Sequence, residues 1–304
     1  MRYNPPVLYG LDLNAISQAL AAILGESNPL VFNYARLATP RVPAVPAPAT
    51  LCDNPSSPGA VIFLGPDWIS GAALSEEHWL RVFQSLLMGE GELPRGFPSS
   101  GNWKDRSRSE FPDHPGRPYL FLSQCPSEAG RAALRAGFEF PGEPPEFEPT
   151  AETWVVTGEP RFADMVKHAC RLGECDELFP LLIHGWPHAS KDGTYIKQCL
   201  ASGPSFVCEV DGNPVCWSDT HLTRTMGMIY TPEEFRGKGY ASSLAAFQAD
   251  RMLAEDGQAT AHIWHSNAPS QKLLMKLGAA KLPGYFGWWR AYFPEARWYP
   301  SKKS

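Results

Sequence analysis

The residues of this chain best suited to chemistry lie in the stretch Met226 to Leu253, MGMIYTPEEFRGKGYASSLAAFQADRML. Arg236-Gly237-Lys238-Gly239-Tyr240-Ala241-Ser242 alternates cations with glycines. It runs into an Ala-rich stretch where Leu244, Phe247, Gln248, Arg251 and Met252 recur at helical spacing. Ahead of it, Met226 to Tyr230 is an apolar run of strand length, and Thr231-Pro232-Glu233-Glu234 is a turn. A strand, a glycine-rich turn and a helix start together build an anion site. The first turn of a helix has N–H groups without internal partners, and the macrodipole makes that end positive. Glycines let the backbone approach phosphate oxygens, while Arg236 and Lys238 add charge.

Other side chains are candidates for proton transfer. His262 and His265 lie on or just after an apolar run, Ala259 to Trp264, and histidine is the side chain whose ordinary pKa lies nearest neutrality. Tyr285 and Tyr230 are alternatives, each set among packing residues. Glu233 and Glu234 read as solvated turn residues. His184 and His188 are four apart, but Gly185 and Pro187 break the helix that would align them, so no metal site is expected. Cys208 and Cys216 sit on strand-like runs and read as core. Tyr285, Phe286, Trp288, Trp289, Tyr292 and Phe293 crowd the end of the chain and could pack a core or wall a ligand pocket; Arg290 among them could hold a carboxylate.

These residues need elements to position them. With 304 residues the chain has room for two domains, here 1–150 and 151–304. The net charge of -5 argues against nonspecific nucleic-acid binding. No apolar run approaches a membrane span, and MRYNPPVLYG lacks a signal-peptide core. The 7 cysteines, without a Cys-x-x-Cys pair, fit a reduced cytoplasm. In the first half, helices are expected at Leu13 to Leu24, Ser75 to Leu87 and Glu128 to Ala136, and strands at Leu30 to Arg36, Ala60 to Leu64 and Tyr119 to Leu122. The runs Pro40 to Pro58 and Gly89 to Pro118 read as loops. In the second half the expected order is a strand at Thr153 to Thr157, helices at Arg161 to Leu172, Glu174 to Leu182 and Tyr195 to Leu200, and a hairpin turning at Asp211-Gly212-Asn213 between Ser205 and Thr220. Strand Met226 to Tyr230, the glycine loop and its helix follow, then strand Ala259 to Trp264, helix Pro269 to Leu277 and an aromatic hairpin from Lys281 to Tyr292.

Two local strings repeat. Ser123-Gln124-Cys125-Pro126-Ser127 and Ser266-Asn267-Ala268-Pro269-Ser270 each follow a strand and open a helix, ending at Gly137 and Gly278. This points to an old duplication, or to convergent helix-start chemistry. In the first half, Gly65 to Gly71 lies between strand and helix without Arg or Lys, so that half is expected to scaffold or to wall a ligand cleft.

The glycine loop fits neither Gly-x4-Gly-Lys-Ser/Thr nor Gly-x-Gly-x-x-Gly, since Ser242 stands at the third glycine and Asp256 precedes the next strand. Arg236-x-x-Gly239-x-Ala241 resembles instead the Arg/Gln-x-x-Gly-x-Gly/Ala signature of the GNAT acyltransferases, and Ile229 to Ala241 is similar to their FR47-like branch. Tyr195-Ile196-x-x-Cys199, Pro204 and Gly212 to Trp217 resemble glycine N-acyltransferases; the likeness spans about residues 160 to 293. It implies an α/β (α+β) GNAT fold, a mixed central sheet flanked by helices, in two tandem halves with the N-terminal one degenerate. It implies an N-acyltransferase using acetyl-CoA or another acyl-CoA, no metal, and the amine of a small molecule or amino acid as acceptor. The same resemblance implies that Met228, Ile229, Tyr230 and Thr231 pair with pantetheine, that Arg236 to Ser242 hold the diphosphate, and that Asn267, with Ser270 beside it, touches pantetheine. Two positions depart from the pattern: Leu274 stands for the usual acidic Tyr, and Thr225 for the base Glu of glycine N-acyltransferases. His265 and Tyr285 are therefore the expected proton-transfer residues. A non-catalytic CoA-binding regulator and a protein-modifying N-acetyltransferase are the alternatives. Expected besides are a monomer or homodimer, no nucleic-acid partner and no membrane association.

Overall fold

The computed structural model of the protein describes residues 9–11, 13–25, 28, 30–31, 49–54, 56–64, 68–88, 119–140, 147–148, 150, 151–186 and 193–294. They fall into two compact units: 1–39, 47–150 and 285–304 in the first, 40–46 and 151–284 in the second.

The first unit holds β1 (Tyr9–Gly10), α1 (Leu13–Leu24), β2 (Ala49–Cys52), β3 (Ala60–Leu64), β4 (Trp68–Ala73), α2 (Glu76–Met88), β5 (Tyr119–Cys125) and α3 (Ser127–Ala136). β1 to β4 pair antiparallel in sequence order, and β4 pairs parallel with β5. The helices form where apolar residues recur every three or four positions: Ile16, Ala19 and Leu20 in α1, and Trp79, Val82, Phe83 and Leu86 in α2, all buried. Gly137 (φ +108) ends α3, its N–H reaching Leu134 O while Phe138 N–H reaches Ala133 O.

The second unit holds β6 (Ala151–Thr157), a 3-10 turn (Ala163–Met165), β7 (Ala169–Leu172), α4 (Cys175–Gly185), α5 (Thr194–Ser202), β8 (Phe206–Val210), β9 (Asn213–Thr220), β10 (Met226–Tyr230), a 3-10 turn (Glu233–Phe235), α6 (Tyr240–Asp256), β11 (Gln258–Trp264) and α7 (Ala268–Lys276). β7 to β10 pair antiparallel in sequence order, β10 pairs parallel with β11, and β11 pairs antiparallel with β6. Asp211 (φ +51) and Gly212 (φ +76) close the β8–β9 hairpin with two left-handed residues, as a tight primed turn demands. Alternation along the strands assigns the faces. Trp217 and Met228 cluster with Leu178, Leu182, Ile196 and Leu200 of α4 and α5. Cys216 clusters with Leu244 of α6, and Met226, Ala261 and Ile263 with Ala245, Ala249 and Met252.

The last strand, β12 (Ala280–Tyr292), continues past Gly284 (φ +95), and its residues Gly287 to Tyr292 pair antiparallel with β5. Each unit thus has the same order: four antiparallel strands, a helix, a parallel strand, a helix and a sixth antiparallel strand. The sixth strand is exchanged in sequence. β6 follows α3 and pairs with β11, whereas β12 follows α7 and pairs with β5.

Several expectations are corrected. Arg161 to Leu172 is not a helix. The Asp250 carboxylate of α6 accepts the N–H groups of Arg161 (2.7 Å) and Phe162 (2.9 Å), which ties the start of the segment to α6, only a 3-10 turn follows, and residues 169–172 pair with β8 as β7. Lys281 to Tyr292 is one strand rather than a hairpin, because Gly284 bends the chain without reversing it. Pro40 to Pro58 contains β2, whose four residues register with β3 from Ala49↔Leu64 to Cys52↔Val61. Gly65 to Gly71 is not the loop before the helix, since β4 occupies residues 68–73. Leu30 and Val31 are helical, and residues 32–36 and 89–118 lie outside the described residues.

Candidate functional site

The second unit's sheet opens between β10 and β11. Among the described residues they register at Met226↔Ala261, at the start of β10, and at no residue beyond it. On its other side β10 shifts register against β9 between Gly227 and Tyr230, and Met228 takes φ +53. A non-glycine residue in that region marks a bulge that re-aims the strand. The bulge leaves the β11-facing backbone of 227–230 available to an extended ligand, which can pair with it as an added strand. Met228 is buried, while Ile229, Tyr230 and Thr231 are half-buried.

β10 leads into the glycine loop. Arg236 donates from Nε to Thr231 O (2.9 Å), and its guanidinium lies 5.9 Å from the Tyr230 ring centroid. Gly237 (φ +77) and Gly239 (φ +90) adopt left-handed backbone, and a Cβ at Gly237 would meet nothing within 4 Å, so the requirement there is conformational. α6 begins at Tyr240 with no acidic residue in its first turn, and its first backbone bond runs from Ser243 N–H to Gly239 O (3.0 Å). The amides of Tyr240, Ala241 and Ser242 are the helix's unpaired donors. They stand beside exposed Arg236, Gly237, Lys238 and Gly239. A cradle of bare amides with two adjacent cations suits a diphosphate.

One contributor was not legible in the sequence. His168 Nε2 lies 3.0 Å from Lys238 O, and its ring is 4.4 Å from that of Tyr240. It props the loop from residues read as helical, and no local signal marks it.

The other expected residues scatter around this opening. Asn267 caps α7, accepting Ser270 N–H at Oδ1 (3.2 Å), just past the end of β11. His265 is exposed; its Nε2 stands 3.9 Å from Glu152 Oε2, a carboxylate held by Lys281 Nζ (2.8 Å) and Trp154 Nε1 (2.8 Å). The side chain of Tyr285 lies outside the described residues. Thr225 is fully buried and hydroxyl-bonded to Thr223 (3.1 Å), and Leu274 is buried against the α6 core, so neither can exchange a proton with a ligand. Asp256 accepts the buried Arg224 guanidinium (2.8 Å). The late aromatics serve packing in the first unit: Trp289 stands edge-on to Phe147 (5.7 Å), and Phe293 tilts against Phe138 (4.9 Å).

On the α4/α5 face lies a polar group that sequence reasoning passed over in part. His221 Nδ1 stands 2.9 Å from Tyr195 Oη, and His262 Nδ1 stands 3.1 Å from Thr153 Oγ1. Burial pushes His221 down to about 4; burial, with His221 adding, pushes His262 down to about 3, so both rings are neutral at physiological pH. Burial also pushes the Asp219 carboxyl up to about 7, against opposing hydrogen bonds from Thr220 and Ser205. Only His262 carries a sequence cue, its place beside the glycine-loop strand; Asp219 and His221 become a group through tertiary contacts.

A strand bulge, a parallel pair that parts and a glycine cradle at a helix start form one continuous opening in the second unit, within a fold of two units of the same strand order. The fold comparison agrees. A Drosophila protein superposes with TM-score 0.64 at 14% identity, over 95% of this chain and 99% of that one. A tandem GNAT protein from the clavulanic acid biosynthesis pathway gives 0.51 at 11% identity, over 94% and 97%. A putative acetyltransferase from Pyrococcus horikoshii gives 0.51 at 8%, over 96% and 89%. At such identities the likeness concerns fold alone. Residues 215–286 match the family of FR47-like proteins, and they span the bulged strand, the glycine loop and the start of β12. The FR47-like match is confined to that segment, and the two-unit fold resembles that of tandem GNAT proteins. A search of curated protein sequences gave no significant match.

Proposed function

We propose that the protein is an N-acyltransferase that takes an acyl group, acetyl foremost, from coenzyme A to the amine of a small molecule or amino acid. The observation that carries this reading is the continuity of the opening with the cradle: the bulged end of β10 passes in one turn into Arg236–Ser242. Ile229 to Thr231 would pair with pantetheine, Arg236 to Ser242 would hold the diphosphate, and Asn267 with Ser270 would flank the pantetheine arm. A backbone N–H near the bulge would stabilise the carbonyl oxygen as it gains charge. The amine would attack the thioester directly, which needs a neutral nucleophile. His265 could serve beside Glu152. All seven cysteines are free thiols, which supports a reducing, cytoplasmic setting. No helix among the described residues is long and apolar enough to cross a membrane.

A second reading, a CoA-binding regulator without turnover, is favoured by the buried Thr225 and Leu274 at the expected base and acid positions. Calorimetry with acetyl-CoA and thiol release over a panel of amines separate the two. The acyltransferase reading expects binding, turnover on at least one amine, and roughly tenfold weaker binding in Arg236→Glu, about 1.4 kcal/mol. Binding without turnover on any amine supports the regulator, and absence of binding defeats both.

A further inference from the structure

Residues 161–168 are fastened to α6 at two places about two turns apart. Asp250 accepts the N–H groups of Arg161 (2.7 Å) and Phe162 (2.9 Å). The buried Ser243 accepts Lys167 N–H (3.1 Å) at Oγ and donates from it to Met165 O (3.4 Å). At the end of this fixed segment the half-buried His168 reaches the glycine loop. Its Nε2 lies 3.0 Å from Lys238 O, its ring centroid lies 4.4 Å from that of Tyr240, and a Cβ at Gly239 would stand 3.6 Å from Nε2. A carbonyl only accepts, so the ring nitrogen that meets it carries the proton.

Lys238 sits between two left-handed residues, Gly237 (φ +77) and Gly239 (φ +90, ψ 0). Alternation of that kind turns successive backbone N–H groups to one side and makes a concavity for an anion. The two glycines that permit the conformation also leave the chain free to abandon it. The contact from His168 bears on the peptide at the centre of the loop. In a planar trans peptide the C=O and N–H point opposite ways, so fixing Lys238 O toward His168 turns Gly239 N–H to the other side. That N–H leads directly into the unpaired amides of Tyr240, Ala241 and Ser242 at the start of α6.

We propose that His168 is a positioning residue for the diphosphate: its bond to Lys238 O holds Gly237–Lys238–Gly239 in the anion-binding conformation before the ligand arrives. This rests on the coenzyme A reading of the loop, but not on turnover. His168 acts through the cradle's carbonyl rather than by touching the ligand. Its gain in affinity comes from sparing the ligand the cost of ordering the loop. The gain is therefore confined to molecules that carry the diphosphate. The pantetheine arm would pair with the bulged end of β10, whose shape is set by the register shift against β9.

Calorimetry tests this on wild type, on His168→Phe, which keeps a ring beside Tyr240 but loses the donor, and on His168→Gln, which keeps an N–H donor but loses the ring. The probes are acetyl-CoA, ADP, which carries the diphosphate without the arm, and S-acetyl-pantetheine, which carries the arm without the diphosphate and is read by competition with acetyl-CoA. His168→Phe should bind acetyl-CoA and ADP about tenfold more weakly, as the loss of one hydrogen bond allows. It should bind S-acetyl-pantetheine within about twofold of wild type, and His168→Gln should bind acetyl-CoA within about threefold. Unchanged acetyl-CoA affinity in His168→Phe, equal weakening by Phe and Gln, or an equal loss on S-acetyl-pantetheine overturns the proposal. If His168→Phe fails to melt cooperatively, His168→Leu takes its place with the same expected loss. A wild type that binds neither acetyl-CoA nor ADP overturns the coenzyme A reading and this role together; a wild type that binds them no more tightly than its His168 variants overturns this role alone.

Discussion

The two units share one strand order and differ where a ligand would enter. In both, a parallel pair registers only at its start: Trp68↔Phe121 and Ile69↔Leu122 in the first unit, Met226↔Ala261 in the second. In the first unit β4 pairs with β3 without a break, two residues connect it to α2, and α2 starts with Glu76 and Glu77. The buried Cys125 thiol bridges the parting strands by donating to Ile69 O (3.6 Å). In the second unit β10 bulges, nine residues connect it to α6, and cations and glycines replace the acids. One fold therefore supports two chemistries of the same helix start. Acids in the first turn stabilise a helix by answering its dipole internally, whereas leaving the amides bare reserves the dipole for an anion.

The largest effect that should separate the units is on stability. Trp79→Ala in the first unit's core should cost about 3–5 kcal/mol in denaturant unfolding, while the folded protein keeps its acetyl-CoA Kd. A matching loss of affinity would tie the first unit to the site. Next, Gly239→Val forces a β-branched residue to φ +90; calorimetry should show affinity lower by on the order of 100-fold. Unchanged affinity would mean the cradle does not need that backbone.

A smaller, pH-dependent effect follows from Asp219. Its folded pKa, about 7, lies above the ordinary 3.8, so its contribution is fully present at pH below 3.8 and lost as pH rises through 7. Asn does not titrate. The melting temperature of Asp219→Asn relative to wild type should therefore rise between pH 4 and pH 8; a gap that is constant across that window contradicts the assignment. Smallest is Glu76→Gln, which removes partners of Arg131 (2.9 Å) and Arg135 (2.9 Å) on the surface of the first unit. The arginines hold the Glu76 pKa below its ordinary value, so its modest contribution disappears as pH falls. Unfolding should register less than about 1 kcal/mol, reduced further by salt.

The sequence made the second unit's ligand loop legible because everything there is local. Glycines at 237 and 239, cations beside them and a helix start lie within a few residues of one another. It was less informative wherever distant partners decided the outcome. Residues 161–172 carry helical periodicity, with Phe162, Met165 and Val166 packing into the core, but the distant β8 recruits residues 169–172 as a strand. β4 was hidden by Gly71, whose φ of +152 and close approach to Val61 O place a glycine inside a strand. Lys281 to Tyr292 reads as a hairpin, yet the chain runs on to pair with β5. The His221–Tyr195 contact joins side chains 26 residues apart, and no spacing rule reports it.

Hydrogen exchange with and without acetyl-CoA tests the central contrast most directly, because the claim is about backbone amides. Protection is predicted at the end of β10 and through Gly237 to Ser242, with the β4–α2 connection of the first unit unchanged. Protection at Leu74 to Glu77 instead, or no change in either loop at saturating acetyl-CoA, would contradict it.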